Sequence, residues 1–170
     1  MLFFLDAIPY ITIFIFGITI GSFLNVCIYR LPLGESVVTA PSHCMTCGRK
    51  LRWYDMVPVF SWLVLGGKCR NCKSKISVQY PIIEGVNGIL YVVIFAVNGL
   101  VWSSVIYCLM ASALLVLSVI DWRTYAIPFG INVFLFVLGV AMAVLDRGNL
   151  VEHLIGMVCV SGALEVLYLV

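Results

Sequence analysis

Long uninterrupted apolar runs dominate this 170-residue chain and restrict its fold more than any other feature. Five of them approach or exceed the roughly 18 residues that a helix needs to cross a bilayer: Ile8 to Tyr29, Pro81 to Leu100, Val101 to Ile120, Ile127 to Leu145 and Leu150 to Val170. In lipid every backbone polar group must find a partner within the protein, which favours helices for runs of this length. Hydrophobic residues make up 63% of the chain and charged residues only 11%. The sequence therefore predicts an all-α polytopic membrane protein with about five transmembrane helices, and Gly17 and Gly21, one turn apart, predict a close contact between two of them.

Positive charge is concentrated in one segment and orients the chain. Eight of the ten Lys and Arg residues lie between the first and second apolar runs, at positions 30, 49, 50, 52, 68, 70, 73 and 75. Because cytoplasmic loops carry an excess of Lys and Arg, we expect this segment in the cytoplasm. Three parts follow: a first transmembrane helix at residues 1–29, a cytoplasmic domain at 30–80 and a four-helix transmembrane region at 81–170. The net charge of +2 is too small and too local to indicate a nucleic-acid partner.

Four cysteines form two identical C-x2-C pairs in this polar segment, Cys44 with Cys47 and Cys69 with Cys72, separated by 21 residues. Each pair places two thiolates on one tight turn, and two such turns can close a tetrahedral S4 site with Zn–S distances of about 2.3 Å. A domain this small also has too little core to fold easily without a metal or another cross-link. Two disulfides or four unrelated cysteines are the alternatives, and a cytoplasmic location disfavours disulfides. The spacing predicts a structural zinc site in a small, zinc-ribbon-like loop domain.

Few polar side chains occur in the apolar runs, and each has a functional and a structural interpretation. Asp121 follows the third run, and an ionisable group at the hydrocarbon boundary is a candidate functional residue. An interfacial helix cap or an ion pair with Arg123 is its alternative. Glu84 is either a first-turn carboxylate that interacts favourably with the helix dipole or part of a substrate or cofactor site. Asn25 suits a hydrogen bond between helices, and Arg30 suits a side chain that extends to the membrane interface.

Four stretches of the sequence together resemble the prepilin peptidases, also called type 4 leader peptidases. They are the run from Gly21 to Pro32 (GSFLNVCIYRLP), the cysteine pairs enclosing Pro58 to Leu63 (PVFSWL), the run from Ile76 to Glu84 (ISVQYPIIE) and the run from Asp121 to Pro128 (DWRTYAIP). The last run is similar to the family's first catalytic aspartate motif. The resemblance extends over nearly the whole chain and is specific in order and spacing. It favours the catalytic interpretation of Asp121.

The resemblance implies a bifunctional enzyme of the bacterial cytoplasmic membrane. Such enzymes cleave the leader from type IV prepilins and pseudopilins at the cytoplasmic face, then methylate the new N-terminus, typically phenylalanine, with S-adenosylmethionine. Cleavage uses two aspartates that share a proton, one as base toward water and one as acid toward the scissile carbonyl. Asp121 matches the first. The second belongs to a Gly-x-Gly-Asp motif that residues 1–170 do not contain, so we expect this chain to be the N-terminal portion of such an enzyme.

Two other functions stay open from the sequence. A methyltransferase-only or inactive relative would keep the cysteine pairs, and a zinc-binding membrane scaffold or redox module would need only the cysteines. The scaffold gives no reason for Asp121 and the Ile-Pro pair that follows it. The expected partners are a prepilin or pseudopilin and the lipid bilayer, and the candidate residues for binding the methyl donor are Glu84, Asn25 and Arg30. The sequence identifies neither the pilin nor the oligomeric state.

Overall fold

The structure, a computed structural model, describes residues 2–39, 41–125, 127–149, 151–152 and 155. Most of these residues are helical, and five α-helices can be delimited: α1 (Leu2–Arg30), α2 (Phe60–Val64), α3 (Gln79–Asn98), α4 (Trp102–Thr124) and α5 (Phe129–Leu145). The described residues form two isolated antiparallel bridge pairs and no β-strand. Because a helix satisfies its backbone hydrogen bonds within itself, apolar runs of this length adopt it in lipid. The all-α prediction is confirmed.

Three of these helices are long and apolar enough to cross a membrane, namely α1 with the turn that follows it, α3 and α4. They confirm that the first three predicted spans are helices long enough to cross a membrane, although their ends differ somewhat from the predicted ones. Helix α5 coincides with the fourth apolar run but has 17 residues, slightly fewer than the roughly 20 of a typical span. The fifth run, Leu150 to Val170, lies almost wholly outside the described residues. The number of five spans therefore stays a prediction.

Helices α1 and α3 approach each other through glycines. A Cβ placed on Gly17 would lie 2.8 Å from the Cα of Gly88, and one placed on Gly21 would lie 2.7 Å from the Cα of Glu84. Any side chain at these positions would have to push the helices apart, whereas glycine lets the two backbones touch. The predicted contact at Gly17 and Gly21 is confirmed, and its partner is α3.

A buried polar network joins α1, α3 and α4 inside the apolar bundle. The side-chain amide of Asn87 donates to the carbonyl oxygen of Gly17 at 2.7 Å and accepts from the Ser112 hydroxyl at 2.9 Å. The Ser112 hydroxyl also lies 3.0 Å from that of Tyr91. Asn87, Ser112 and Tyr91 are all buried. In apolar surroundings such bonds are costly to break, so the network favours one arrangement of the three helices.

Residues 31–78, which we call the cysteine domain, connect the end of α1 to the start of α3. The domain therefore lies at one end of the helix bundle, here called the domain end. It begins with a turn that ends at Gly34, whose φ is +68°. The guanidinium of Arg30 donates to the carbonyl oxygens of Ser36 and Pro41 at 3.2 and 3.4 Å. Arg30 thus attaches the first part of the cysteine domain to the end of α1.

Helix α4 runs back toward the domain end and finishes just after Asp121. Tyr125 takes a left-handed conformation with φ of +52°, and its N–H bonds the carbonyl of Asp121 at 2.8 Å. This bond closes the last turn of the helix. Pro128 then precedes α5, where the missing N–H of proline costs nothing. The short connection leaves the Asp121 side chain exposed on the final turn of α4.

Candidate metal centre and the adjoining cavity

The first cysteine pair lies on a tight turn shaped by backbone hydrogen bonds. The N–H of Gly48 bonds the carbonyl of Cys44, and the N–H of Cys44 bonds the carbonyl of Arg49, both at 2.9 Å. Gly48 has φ of +68°, which glycine adopts without a steric penalty. His43 and Lys50 pair as an antiparallel bridge at the base of the turn.

The second pair repeats this geometry at equivalent positions. The N–H of Lys73 bonds the carbonyl of Cys69 at 3.0 Å, and the residues that flank the turn again form an antiparallel bridge. Lys73 takes the place of Gly48 with φ of +59°. A left-handed conformation costs a residue with a Cβ roughly 1 kcal/mol or more. The repeat in the sequence therefore produces two similar turns, one of which is strained.

The two turns bring the four cysteine sulfurs within 4.8 Å of one another. The Sγ atoms of Cys44 and Cys72 are 3.8 Å apart, and sulfurs placed about 2.3 Å from a tetrahedral zinc ion would be separated by about 3.8 Å. A 3.0 Å hydrogen bond from Arg49 to Asn71 links the turns. All the described cysteines are free thiols. Four sulfur ligands in a closed cluster fit a structural metal, and they are the four ligands predicted from the spacing.

The surroundings of two sulfurs favour the thiolate form. The backbone N–H groups of Cys47 and Thr46 lower the pKa of Cys44 to about 6. The Ser74 hydroxyl, 3.0 Å from the Sγ of Cys72, lowers the pKa of Cys72. Cysteine binds metal as the thiolate, so the lowered pKa of each group favours binding of a metal cation.

The surroundings of Cys69 favour its thiol form. The N–H groups of Cys72 and Asn71 favour its thiolate, but burial and the thiols of Cys44 and Cys72 outweigh them and raise the pKa of Cys69. Adjacent thiolates repel one another, and a bound cation removes that repulsion. Metal binding therefore releases protons and couples to folding of the domain.

A carboxylate from α3 connects the bundle to the cysteine domain. Glu84 is 6% exposed, and its Oε2 accepts a 2.6 Å hydrogen bond from the N–H of Val59. The Ser22 hydroxyl is a second hydrogen-bond partner. Val59 has φ of +59° and ψ of −52°, in a three-residue turn closed by a 2.6 Å bond from the N–H of Phe60 to the carbonyl of Pro58. This γ-turn is a strained conformation, especially for a β-branched residue, and persists only where contacts impose it.

A cavity of about 650 Å³ lies between the cysteine domain and the domain end of α1 and α3. The helices contribute Ser22, Asn25, Tyr29, Tyr80 and Glu84 to its wall, and the cysteine domain supplies most of the rest. The volume lies within the range of roughly 300–1,000 Å³ that is usual for small-molecule sites. Its wall combines aromatic rings with many polar and charged side chains, most of them from the cysteine domain.

Asn25, in the cavity wall, is 1% exposed and has one unsatisfied atom. Its Nδ2 donates to the carbonyl oxygens of Gly21 and Tyr80 at 3.3 and 3.2 Å, which confirms the predicted bond between helices. Two carbonyl partners fix the orientation of the amide. The Oδ1 atom then finds no donor in the part of the chain that the structure describes. A buried acceptor without a donor costs about 1–3 kcal/mol.

An aromatic and cationic cluster joins the cavity to the last turn of α4. The rings of Tyr29 and Tyr80 stack with centroids 5.7 Å apart. The guanidinium of Arg123 lies 4.3 Å from the Tyr29 centroid and donates to the side-chain oxygen of Gln79 at 3.3 Å. Arg123 thereby ties α4 to α1 and α3. Within the described residues the structure shows no ion pair between Asp121 and Arg123.

The structure distributes the predicted site residues over three places. The cysteines meet in one cluster, Asn25 and Glu84 line the cavity, and Asp121 is exposed beyond it. Arg30 also lines the cavity, but its guanidinium binds carbonyls of the loop. Sequence reasoning missed the strained turn at Val59 and the tyrosine stack, because both depend on contacts between segments far apart in the chain.

Comparison with known proteins gives consistent matches along the chain. The model of the bacterial peptidase A24 N-terminal domain matches residues 15–98, and the model of the type IV leader peptidase family matches residues 108–170. A prepilin leader peptidase/N-methyltransferase of Myxococcus xanthus is 37% identical over 131 residues, which cover 77% of this chain and 39% of the relative. The protein of the same name from Xanthomonas campestris is 34% identical over 146 residues, which cover 72% and 51%. The chain thus spans about half or less of the length of these relatives.

No solved structure was found to match the chain. The family models nevertheless match both the segment with the cysteine domain and the segment with Asp121. The two relatives described above each cover more than two thirds of the chain and carry the same name. The chain belongs to the type IV leader peptidase family.

Proposed function

We propose that this protein, at its full length, cleaves the leader from type IV prepilins or pseudopilins and methylates the new N-terminus. Curated relatives named prepilin leader peptidase/N-methyltransferase are 30 to 43% identical to it. The observation that carries the proposal is the exposed Asp121 in the last turn of α4. A carboxylate there opposes the helix dipole at a cost of about 0.3–1 kcal/mol. Asp121 therefore does not stabilise the end of this helix, which supports a catalytic role for it.

In the proposed cleavage, the Asp121 carboxylate takes a proton from the water that attacks the scissile carbonyl. A second aspartate, from the Gly-x-Gly-Asp motif that the family resemblance implies, donates a proton to the carbonyl oxygen. Two such carboxylates close together share one proton, because both cannot easily ionise. The contacts of Arg123 with Tyr29 and Gln79 hold the last turn of α4 and so position Asp121.

The four cysteines are proposed to bind one zinc ion. The sulfur separations and the thiolate-favouring surroundings support this assignment. A closed S4 site has no open position for substrate, so its role is structural. We infer that metal binding orders the cysteine domain, which then covers the cavity through the bond between Val59 and Glu84.

S-adenosylmethionine is the proposed methyl donor, and the cavity is its proposed site. When bound, it supplies a methyl group activated by a sulfonium charge. The volume fits a molecule of this size, the tyrosine stack offers aromatic surface, and Asn25 and Glu84 offer hydrogen-bond acceptors. Arg30 is assigned to holding the loop, because its guanidinium donates to two loop carbonyls.

The cysteine domain and Asp121 are proposed to face the cytoplasm of the bacterial inner membrane. The excess of Lys and Arg between α1 and α3 supports this orientation. We propose the division into residues 1–29, 30–80 and 81–170 on the same reasoning. It is supported by the end of α1 at Arg30 and the start of α3 at Gln79.

The test is incubation of the purified full-length protein in lipid with a prepilin and S-adenosylmethionine, followed by mass spectrometry. We expect loss of the leader and addition of one methyl group to the new N-terminus. Methylation of an already cleaved pilin without any cleavage would identify a methyltransferase-only relative. Neither product, from protein with a full complement of zinc, would support a scaffold and contradict the proposal.

A further inference from the structure

Helix α2 of the cysteine domain has an apolar face that is left uncovered. Phe60, Leu63 and Val64 follow the i, i+3, i+4 spacing that places side chains on one side of a helix. Each of them is at least 60% exposed. A group of large apolar side chains exposed together marks a surface that binds a protein or a membrane. Nothing among the described residues covers this face, so it needs a partner of its own.

The other side of α2 already has its contacts. Ser61, Trp62 and Leu65 line the cavity. The indole N–H of Trp62 donates to the carbonyl oxygen of Ile76 at 3.2 Å, and a Cβ placed on Gly67 would lie 2.8 Å from the indole ring. These contacts fix the rotation of α2 about its own axis. The uncovered face therefore points away from the cavity, to the outside of the molecule.

The bond between Val59 and Glu84 sets the depth of α2 along the bundle. Helix α3 has 20 residues, a length of about 30 Å that matches the thickness of the hydrocarbon core. Glu84 lies about 7 Å from the first residue of this helix along its axis. Its side chain leans toward the N-terminus of α3 and accepts the N–H of Val59, the residue before α2. Helix α2 therefore begins close to the boundary between hydrocarbon and lipid headgroups.

The outer surface of α3 agrees with this depth. Ile82 and Val86 lie before and after Glu84, one helical turn apart, and both are exposed. On a helix that spans the bilayer, exposed apolar side chains contact the lipid tails. The layer of the bundle that holds Glu84 is therefore a layer in contact with hydrocarbon, and α2 is attached to it.

The cysteine domain also carries the charge that anionic lipid attracts. Residues 31–78 contain seven Lys and Arg residues and two acidic residues. Lys68, Lys73 and Lys75 follow α2 in the sequence and are exposed. Anionic headgroups attract Lys and Arg side chains that lie close to a membrane surface. An apolar helix face combined with exposed cations is typical of a segment that lies in the membrane interface.

We propose that α2 is an interfacial anchor, which inserts Phe60, Leu63 and Val64 into the bilayer beside α3. The Lys and Arg residues of the cysteine domain then contact anionic headgroups. A helix of five residues does not form by itself in water, so the lipid contact and the bond to Glu84 together hold it in place. The anchor thereby keeps the cysteine domain against the membrane surface. This role is independent of cleavage and methylation.

The first test places one fluorescent amino acid at Leu63 of the full-length, zinc-loaded protein in vesicles that contain anionic lipid. A nitroxide on the lipid acyl chain quenches fluorophores inside the membrane, whereas acrylamide quenches those in water. We expect the nitroxide lipid to remove most of the fluorescence at Leu63 and acrylamide to leave it. The same fluorophore at Lys50, an exposed position of the same domain, is the matched control and should respond in the opposite way.

The second test identifies what covers the face. Benzoylphenylalanine at Phe60 keeps the aromatic ring, and light attaches it to any molecule within reach. Mass spectrometry of the illuminated protein in the same vesicles then identifies the product, which we expect to be a lipid adduct. Zinc content and thermal unfolding establish that the labelled proteins are folded.

Two results overturn the inference. One is quenching by the nitroxide lipid that is no stronger at Leu63 than at Lys50, because the face would then lie in water or beneath protein. The other is a crosslink from Phe60 to another segment of this protein or to an added prepilin, because the face would then be a protein interface. Neither measurement needs enzymatic turnover, so failure of the proposed function would leave both results unchanged.

Discussion

The proposed zinc site can be tested at the scale of single residues. Cys44 and Cys72 lie 3.8 Å apart and come from different turns, so both are needed to close the site. Cys108 has a different environment, buried in α4 away from the cluster. It behaves as a small apolar residue there.

We therefore expect Cys44→Ser and Cys72→Ser to reduce bound zinc from about one ion per chain to a small fraction of that. Serine keeps the size of the side chain but is a poor ligand for zinc. Metal analysis of purified protein measures the effect, with Cys108→Ser as the control that should retain its zinc. Full zinc content in both cluster variants would refute the S4 assignment.

Gly48 and Lys73 test the backbone of the two turns. They occupy equivalent positions at positive φ, and no atom lies within 4 Å of a Cβ built on Gly48. Backbone strain alone should then make Gly48→Ala weaken zinc retention and Lys73→Gly strengthen it, by about 1 kcal/mol each. Competition with a chelator would show this as about a fivefold change in each direction. Changes of the same sign in both variants would show that the turns are not equivalent.

At the scale of helices, the contact between α1 and α3 aligns the groups of the cavity wall. It places Asn25 beside Tyr80 and Glu84 beneath Val59. Gly21 lies at the closest point of this contact, where an added Cβ would meet the backbone of Glu84. Small changes at Gly21 should therefore affect both stability and the cavity.

Gly21→Ala should destabilise the bundle by about 1–3 kcal/mol, because the two backbones must separate to admit the methyl group. Gly85→Ala is the matched control, since a Cβ on Gly85 meets nothing within 4 Å and alanine favours the helix by up to about 1 kcal/mol. Thermal unfolding in detergent compares the two. Equal stability of both variants would contradict the close contact.

At the scale of the whole molecule, the orientation in the membrane decides which groups meet a substrate. Lys50, in the cysteine domain, and Asn149, after α5, are expected on opposite sides of the membrane. A cysteine at Asn149 should react with an impermeant reagent added outside, whereas a cysteine at Lys50 should react only after permeabilisation. The parent protein gives the background from its own thiols. Labelling of both positions from one side would break the proposed topology.

The sequence predicts the parts of this molecule that follow from the length of its apolar runs and from the spacing of its cysteines. Apolar length indicated α1, α3 and α4, and the repeated C-x2-C pattern indicated a sulfur cluster that the structure forms. The number of spans stays a prediction, because α5 is shorter than a typical span and Leu150 to Val170 lies largely outside the described residues.

The contacts between distant segments could not be predicted in the same way. The bond between Glu84 and Val59 joins positions 25 residues apart. The buried Asn25 Oδ1, which has no donor within the described residues, depends on how α1 packs against α3. Neither leaves a periodic signal, because each is set by tertiary packing. The role of Asp121 likewise came from the family resemblance, and the structure adds its exposure and the position of its helix turn.

The proposed catalytic role of Asp121 is tested most directly by one substitution in the full-length protein. Asp121→Asn keeps the shape of the side chain but cannot accept the proton of the attacking water, so prepilin cleavage should fall by about 100-fold or more. Zinc content should be unchanged, and Asp146→Asn, the same change after α5, should cleave at the parental rate. The measurement is the rate of leader release followed by mass spectrometry. Cleavage by Asp121→Asn at the rate of the parent and of Asp146→Asn would contradict the account.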